Sequence, residues 1–156
     1  MGGEPAALLV LGWGNESRGD DALGPRCVAA LRDKLLPHWQ SKVEFLEDYQ
    51  LQVEFAFDLV GRKQVLFIDA SIDCPAPFEV RTLQARQDSS ISSHALSPEA
   101  LLQVYTNVQN ESPPPATLLA IRATSFELGE PMSDEAQRNL NAAVSWAVTW
   151  IKNLKI

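Results

Sequence analysis

The sequence is poor in cysteine and in basic residues, and each shortage excludes a class of protein. The only two cysteines, Cys27 and Cys74, form no CxxC pair. A disulfide framework and a cysteine-rich zinc site are therefore excluded, and a reducing compartment is expected. The 13 basic residues are outnumbered by 20 acidic residues, which gives a net charge of −7 with no basic cluster. This balance argues against nucleic acid and anionic membranes as partners.

Long apolar runs, internal repeats and low-complexity segments are also missing from the sequence. The apolar runs are too short to cross a bilayer. The start of the chain lacks the basic and apolar regions of a signal peptide, because residues 6–10 already have the pattern of a strand. A length of 156 residues suits one core. The sequence therefore predicts a single cytoplasmic domain that spans residues 1–156.

Apolar strand patterns alternate with helical patterns along the chain. Residues 7–12, 43–47, 65–68 and 117–123 are predicted strands, and residues 78–83 alternate as in a more exposed strand. Predicted helices begin at Pro25, at Val53, after the capping residue Ser97 and after the capping residue Ser133. This alternation predicts an α/β fold with a mostly parallel sheet and helices on both faces.

Three polar features follow predicted strands, and ligands in such sheets bind beyond the carboxyl ends of the strands. A glycine-rich loop, residues 12–21, follows the first strand and ends in Asp20 and Asp21. Asp69 ends the predicted central strand, and His94 lies in a serine-rich loop before the Ser97 helix. Two carboxylates and an imidazole suit a borderline divalent ion with open coordination positions, as metal-assisted hydrolysis requires. Asp21, Asp69 and His94 are therefore a candidate catalytic metal site.

Each of these features also has an ordinary alternative. One aspartate of the acid pair can cap the next helix, Asp69 can accept N–H bonds from the turn after it, and a lone histidine is usually a surface residue. The glycines match the start of a dinucleotide fingerprint, with Glu47 or Asp48 as the ribose-binding acid, but the acid pair would repel a pyrophosphate. Neither HExxH nor GxSxG occurs. Cys74 could act as a nucleophile with His94, although a buried thiol is the commoner case.

Taken in series, the three features resemble the endopeptidases that mature NiFe-hydrogenases. The resemblance rests on LVLGWGN and DDALG around the first loop, on FIDA around Asp69, and on SSH, which ends at His94 and is followed by a helix. These segments occur in the order found in the family and span essentially the whole chain. The first loop with its acid pair is the most specific of them.

The resemblance implies a three-layer α/β/α sandwich with a twisted, mostly parallel sheet. It implies an endopeptidase that removes the C-terminal extension of a hydrogenase large-subunit precursor after nickel insertion. It assigns nickel recognition to Asp21, Asp69 and His94. The family often has glutamate at the first of these positions, and aspartate is a shorter oxygen donor. Nickel is carried by the substrate, and no permanent metal is expected in the protease.

One segment departs from the pattern of the family. Many members have an Asp-Gly-Gly-Thr turn after the second strand, whereas this chain has DYQLQVE from residue 48 to residue 54. That segment is similar to the branch that serves cytoplasmic, NAD-coupled bidirectional hydrogenases. Gln50 and Glu54 become candidates for partner choice, with a helix-start role equally open. Two other functions stay open, a non-catalytic nickel-binding maturation chaperone and a nucleotide-binding α/β enzyme.

Overall fold

The computed structural model describes residues 4–86 and 96–156. Within them, five strands form one sheet: β1 (Leu8–Trp13), β2 (Val43–Asp48), β3 (Gln64–Ser71), β4 (Phe78–Leu83) and β5 (Ala116–Arg122). The strand order is β2-β1-β3-β5-β4. All neighbouring strands are parallel except β4, which pairs antiparallel with β5 at one edge. The predicted mostly parallel α/β sheet is confirmed.

Helices cover both faces of this sheet, as predicted. The α-helices are α1 (Leu23–Leu35), α2 (Pro98–Gln109) and α3 (Asp134–Lys152), and the 3₁₀ helices are Gly19–Ala22 and Val53–Leu59. Apolar side chains alternate along each strand. Leu8 and Val10 pack in the core that contains α1 and α3, and Leu9 and Leu11 pack in the core that contains α2. No helix in the described part of the chain is long and apolar enough to cross a membrane.

The serine caps predicted for the last two helices are confirmed. Ser97 Oγ accepts the N–H of Ala100 at 3.0 Å, and Ser133 Oγ accepts the N–H of Ala136 at 3.1 Å. Each bond satisfies one of the N–H groups that a helix start leaves without an intrahelical partner. Local sequence alone therefore determines where α2 and α3 begin.

The predicted start of the first helix was wrong by two residues. Pro25 is not the first residue of α1, because α1 begins at Leu23 and is preceded directly by the 3₁₀ helix Gly19–Ala22. Proline is tolerated throughout the first helical turn, where its missing N–H has no partner to lose. The position of Pro25 therefore does not define the first residue.

β3 extends beyond its predicted end, so Asp69 lies inside the strand. Pairing with β1 stops at Gly12 and Ile68, whereas pairing with β5 continues to Ser71 and Arg122. Asp69 therefore has a paired strand on one side only. The order of the strands changes direction between β1 and β3, and α/β sheets bind ligands in the crevice at such a point.

Candidate active site

Two glycines allow the backbone to approach Asp21 and the sheet very closely. Gly14 has a φ of +151°, and a Cβ there would lie 1.9 Å from the carbonyl oxygen of Asp21. A Cβ on Gly24 would lie 2.3 Å from the carbonyl oxygen of Trp13. The N–H of Asn15 donates to Asp21 Oδ2 at 2.8 Å. Gly14 in the loop and Gly24 in α1 therefore allow the close packing that holds Asp21 beside the end of β1.

Asp20 connects the first loop to the segment between β5 and α3. Its carboxylate accepts the N–H groups of Thr124 at 2.7 Å, Ser125 at 3.3 Å and Ser133 at 2.7 Å, together with the Ser133 hydroxyl at 2.9 Å. The residue is 1% exposed. Burial acts to raise the pKa of Asp20, but these hydrogen bonds outweigh burial and lower it. Asp20 therefore accepts hydrogen bonds from the segment between β5 and α3, and its side chain caps neither the 3₁₀ helix Gly19–Ala22 nor α1.

Asp69 is a carboxylic acid with an unusually high affinity for its proton. Burial, and to a smaller extent the charge of Asp21, raise its pKa to about 7, against the lowering effect of a hydrogen bond from Ala70. That bond joins the Ala70 N–H to Asp69 Oδ1 at 2.8 Å. The charge of Asp21 therefore acts on Asp69 and favours its protonated form. A cation between two such carboxylates would replace the proton and offset their repulsion.

The third predicted ligand, His94, lies outside the described residues. Within residues 4–86 and 96–156, no three His, Cys, Asp or Glu side chains converge as a metal site. Of the three predicted residues, Asp21 and Asp69 lie in the described part of the chain, and the charge of Asp21 contributes to the raised pKa of Asp69. The complete triad stays a prediction from the sequence.

Cys74 has the environment of a structural thiol. The residue is 6% exposed, and its Sγ lies 3.5 Å from the carbonyl oxygen of Ala120. Burial is the main cause that raises the pKa of the thiol. A protonated thiol that donates to a backbone carbonyl is a poor nucleophile. These observations favour the buried-thiol alternative for Cys74.

The backbone of the glycine loop offers no cradle for a phosphate. Such a cradle needs several N–H groups that point at the ligand. In this loop the N–H groups donate to acceptors within the protein, at Gly14, Asn15, Ser17, Arg18, Gly19, Asp20 and Asp21. The geometry therefore argues against the dinucleotide alternative.

A cleft of about 530 Å³ opens beside Asp69 on the face of the sheet that carries α2. Its floor includes Leu118 and Ala120 of β5, and charged side chains from β4 and from the first turn of α2 form its walls. Sequence reasoning missed this cleft, because its lining comes from three strands and a helix that are distant in sequence. The only local sign of the cleft in the sequence was the alternation of apolar and polar residues that predicts an exposed strand at residues 78–83.

Gln50 and Glu54, the candidates for partner choice, lie between the end of β2 and the first turn of the 3₁₀ helix Val53–Leu59. Both side chains are exposed, whereas Leu51 between them is 4% exposed and packs in the core. The buried leucine anchors the segment, and its two polar neighbours face solvent.

No protein-family model and no curated protein sequence matches the chain, but several solved structures share its fold. The hydrogenase maturating endopeptidase HybD from E. coli superposes with a TM-score of 0.71 at 23% identity, over 93% of this chain and 91% of that chain. An endopeptidase from Escherichia coli gives 0.73 at 22% identity, over 96% and 94%. The NiFe-hydrogenase maturation protease HycI from Thermococcus kodakarensis gives 0.70 at 19% identity, over 97% and 96%. The chain therefore has the fold of these three proteins along nearly its whole length, and two of them are hydrogenase maturation proteases.

Proposed function

We propose that this protein is a cytoplasmic endopeptidase that removes the C-terminal extension of a NiFe-hydrogenase large-subunit precursor after nickel insertion. The observation that carries the proposal is Asp69, whose pKa is raised by burial and by the charge of Asp21, at the point where the strand order changes direction. The two aspartates occur in a fold shared with solved hydrogenase maturation proteases along more than nine-tenths of the chain. Fold alone does not define chemistry, and the carboxylate pair supplies the specific support.

In this proposal, nickel is part of the substrate. The thiolates of the precursor hold the ion, and Asp21, Asp69 and His94 complete its recognition with two carboxylates and an imidazole, which suit a borderline divalent ion. Asp69 loses its proton when the ion arrives, because the positive charge offsets the burial and the repulsion that favour the neutral acid. The bound ion polarises the scissile carbonyl or orients a water molecule. A precursor without nickel binds poorly, so metal loading is the checkpoint for cleavage.

The partner proposed for this chain is the precursor of an NAD-coupled bidirectional hydrogenase. The support is the DYQLQVE segment, whose polar residues Gln50 and Glu54 are exposed beside the end of β2. Because Leu51 is buried between them, the backbone that carries these two exposed side chains is anchored to the core.

The decisive experiment mixes the purified protein with nickel-loaded precursor and with nickel-free precursor, and follows the mass of the precursor. We expect loss of the C-terminal extension from the loaded form only. Equal cleavage of both forms would contradict the checkpoint. Tight nickel binding without any loss of precursor mass would instead favour the non-catalytic chaperone.

Variants of the proposed ligands test the site directly. Asp21→Ala and His94→Ala should each abolish processing while the circular dichroism spectrum and the unfolding midpoint stay close to those of the wild type. Full processing by either variant removes that residue from the site.

A further inference from the structure

Three residues lie in one row across the sheet at the bottom of the cleft. Ala120 of β5 is the register partner of Asp69 on β3 and of Glu79 on β4. Residues opposite each other in a sheet project to the same face. The row therefore runs from the carboxylate of Asp69, over the small side chain of Ala120, to the carboxylate of Glu79.

Among the described residues, the row leads from Asp69 on β3 to Glu79 on the edge strand β4. The cleft therefore reaches from Asp69 toward the edge of the sheet. Neighbouring strands lie about 4.8 Å apart, so β4 and β3 are separated by about 10 Å, which is the span of about three residues of extended chain. A folded subunit cannot enter a cleft of about 530 Å³, but an extended peptide can.

Arg81 supplies the wall of the cleft with hydrogen-bond donors. Its Nε lies 3.6 Å from Glu79 Oε2, and its Nη1 lies 3.6 Å from Glu99 Oε2. These separations are ion-pair distances and are too long for hydrogen bonds. A guanidinium carries five N–H donors, and neither of these contacts occupies one of them in a hydrogen bond. Carbonyl and carboxylate oxygens of a peptide are the groups that such donors bind.

We propose that this cleft binds the C-terminal extension of the precursor, about three residues of it in extended form, with Ala120 beneath the chain and Arg81 donating to its oxygens. The inference rests on the proposed function, and it names the part of the substrate that occupies the cleft. The extension is the segment assigned here because it is a chain end that leads away from the nickel-bearing body of the precursor. Arg81 is then a specificity-determining residue that contacts substrate away from the reacting bond.

A cleft-filling variant tests the inference. Ala120→Leu places a branched side chain on the floor, and Val80→Leu is the matched control, an enlargement on the opposite face of neighbouring β4. With nickel-loaded precursor, we expect Ala120→Leu to raise KM about tenfold or more with little change in kcat, and Val80→Leu to behave as the wild type. With a precursor whose extension is shortened to one residue, Ala120→Leu and wild type should have equal KM.

A second variant tests the donors. Arg81→Gln should raise KM about three- to tenfold with kcat nearly unchanged. Arg138→Gln removes the same charge from an exposed site on α3, across the sheet, and should have no effect.

An unchanged KM for Ala120→Leu, or an equal rise in KM for the full and the shortened precursor, would overturn the inference. Failure of the wild-type protein to cut any precursor is a different result, because it would refute the proposed function itself.

Discussion

At the scale of single residues, Asp20 and Asp21 differ because only one of them is surrounded by donors. Asp20 accepts four hydrogen bonds from Thr124, Ser125 and Ser133, and Asp21 accepts one, from Asn15. Removing a buried acceptor leaves each of its donors unsatisfied, at a cost of about 1–3 kcal/mol per group. Neighbouring acids can therefore have separate roles, one for stability and one for function.

Replacement of Asp20 should reduce stability, and replacement of Asp21 should not. We expect Asp20→Ala to lower the free energy of unfolding by about 2–4 kcal/mol and Asp21→Ala by less than about 1 kcal/mol, measured by urea denaturation near neutral pH. Because hydrogen bonds lower the folded-state pKa of Asp20, its stabilisation is present above the ordinary aspartate pKa and is lost as the pH falls through the lowered value. Equal losses for the two variants would contradict the assignment.

Asp69 should make stability depend on pH in the opposite direction. Its folded-state pKa of about 7 is raised from 3.8, so its contribution is complete below pH 3.8 and is lost as the pH rises through about 7. Asp69→Asn has no such titration. Relative to this variant, the wild type should lose up to about 1.4 kcal/mol of unfolding free energy per pH unit between these values.

The measurement is a series of urea denaturation curves from pH 4 to pH 8 for wild type and Asp69→Asn. Asp33→Asn, on the exposed face of α1, corrects for the loss of one negative charge. A difference in stability between wild type and Asp69→Asn that does not change with pH is incompatible with a buried acid that titrates near neutrality.

At the scale of elements, the start of α1 holds the first loop against the sheet through a glycine. An alanine is normally better than a glycine inside a helix by about 1 kcal/mol. At Gly24 this preference is reversed, because the added Cβ would lie 2.3 Å from the carbonyl oxygen of Trp13 and 3.0 Å from that of Ile68. The close approach therefore fixes the start of α1, two residues after Asp21, against the ends of β1 and β3.

Gly24→Ala should consequently destabilise the protein and impair processing together. We expect a loss of about 2 kcal/mol or more in thermal or urea unfolding, because both contacts are with backbone atoms that cannot rotate away. Asp33→Ala, on the exposed face of the same helix, should be neutral or slightly stabilising. A Gly24→Ala protein as stable and as active as the wild type would show that the helix start is free to shift.

At the scale of the whole molecule, the local parts of the fold could be predicted and the long-range parts could not. The apolar runs predicted the strands, and Ser97 and Ser133 predicted the starts of α2 and α3. Each of these signals lies within a few residues of the element that it predicts. The bonds from Ser133 to Asp20 join residues more than one hundred positions apart, and no local pattern encodes them. The predicted end of β3 was wrong for the same reason, because pairing with the distant strand β5 determines where β3 ends. The cleft beside Asp69 was missed because four separate elements line it.

Recognition of the partner is also a property of the whole molecule, and the last prediction concerns it. If the exposed side chains of Gln50 and Glu54 contact the body of the precursor, Gln50→Ala and Glu54→Ala should each raise KM by about three- to tenfold, with kcat and the unfolding midpoint unchanged. The variants remove contacts made equally in the ground state and the transition state, so the bond-breaking step is not slowed. Glu127→Ala, an exposed acid in the segment between β5 and α3, is the control for charge. An unchanged KM in both variants would leave these residues only the role of forming the start of the 3₁₀ helix.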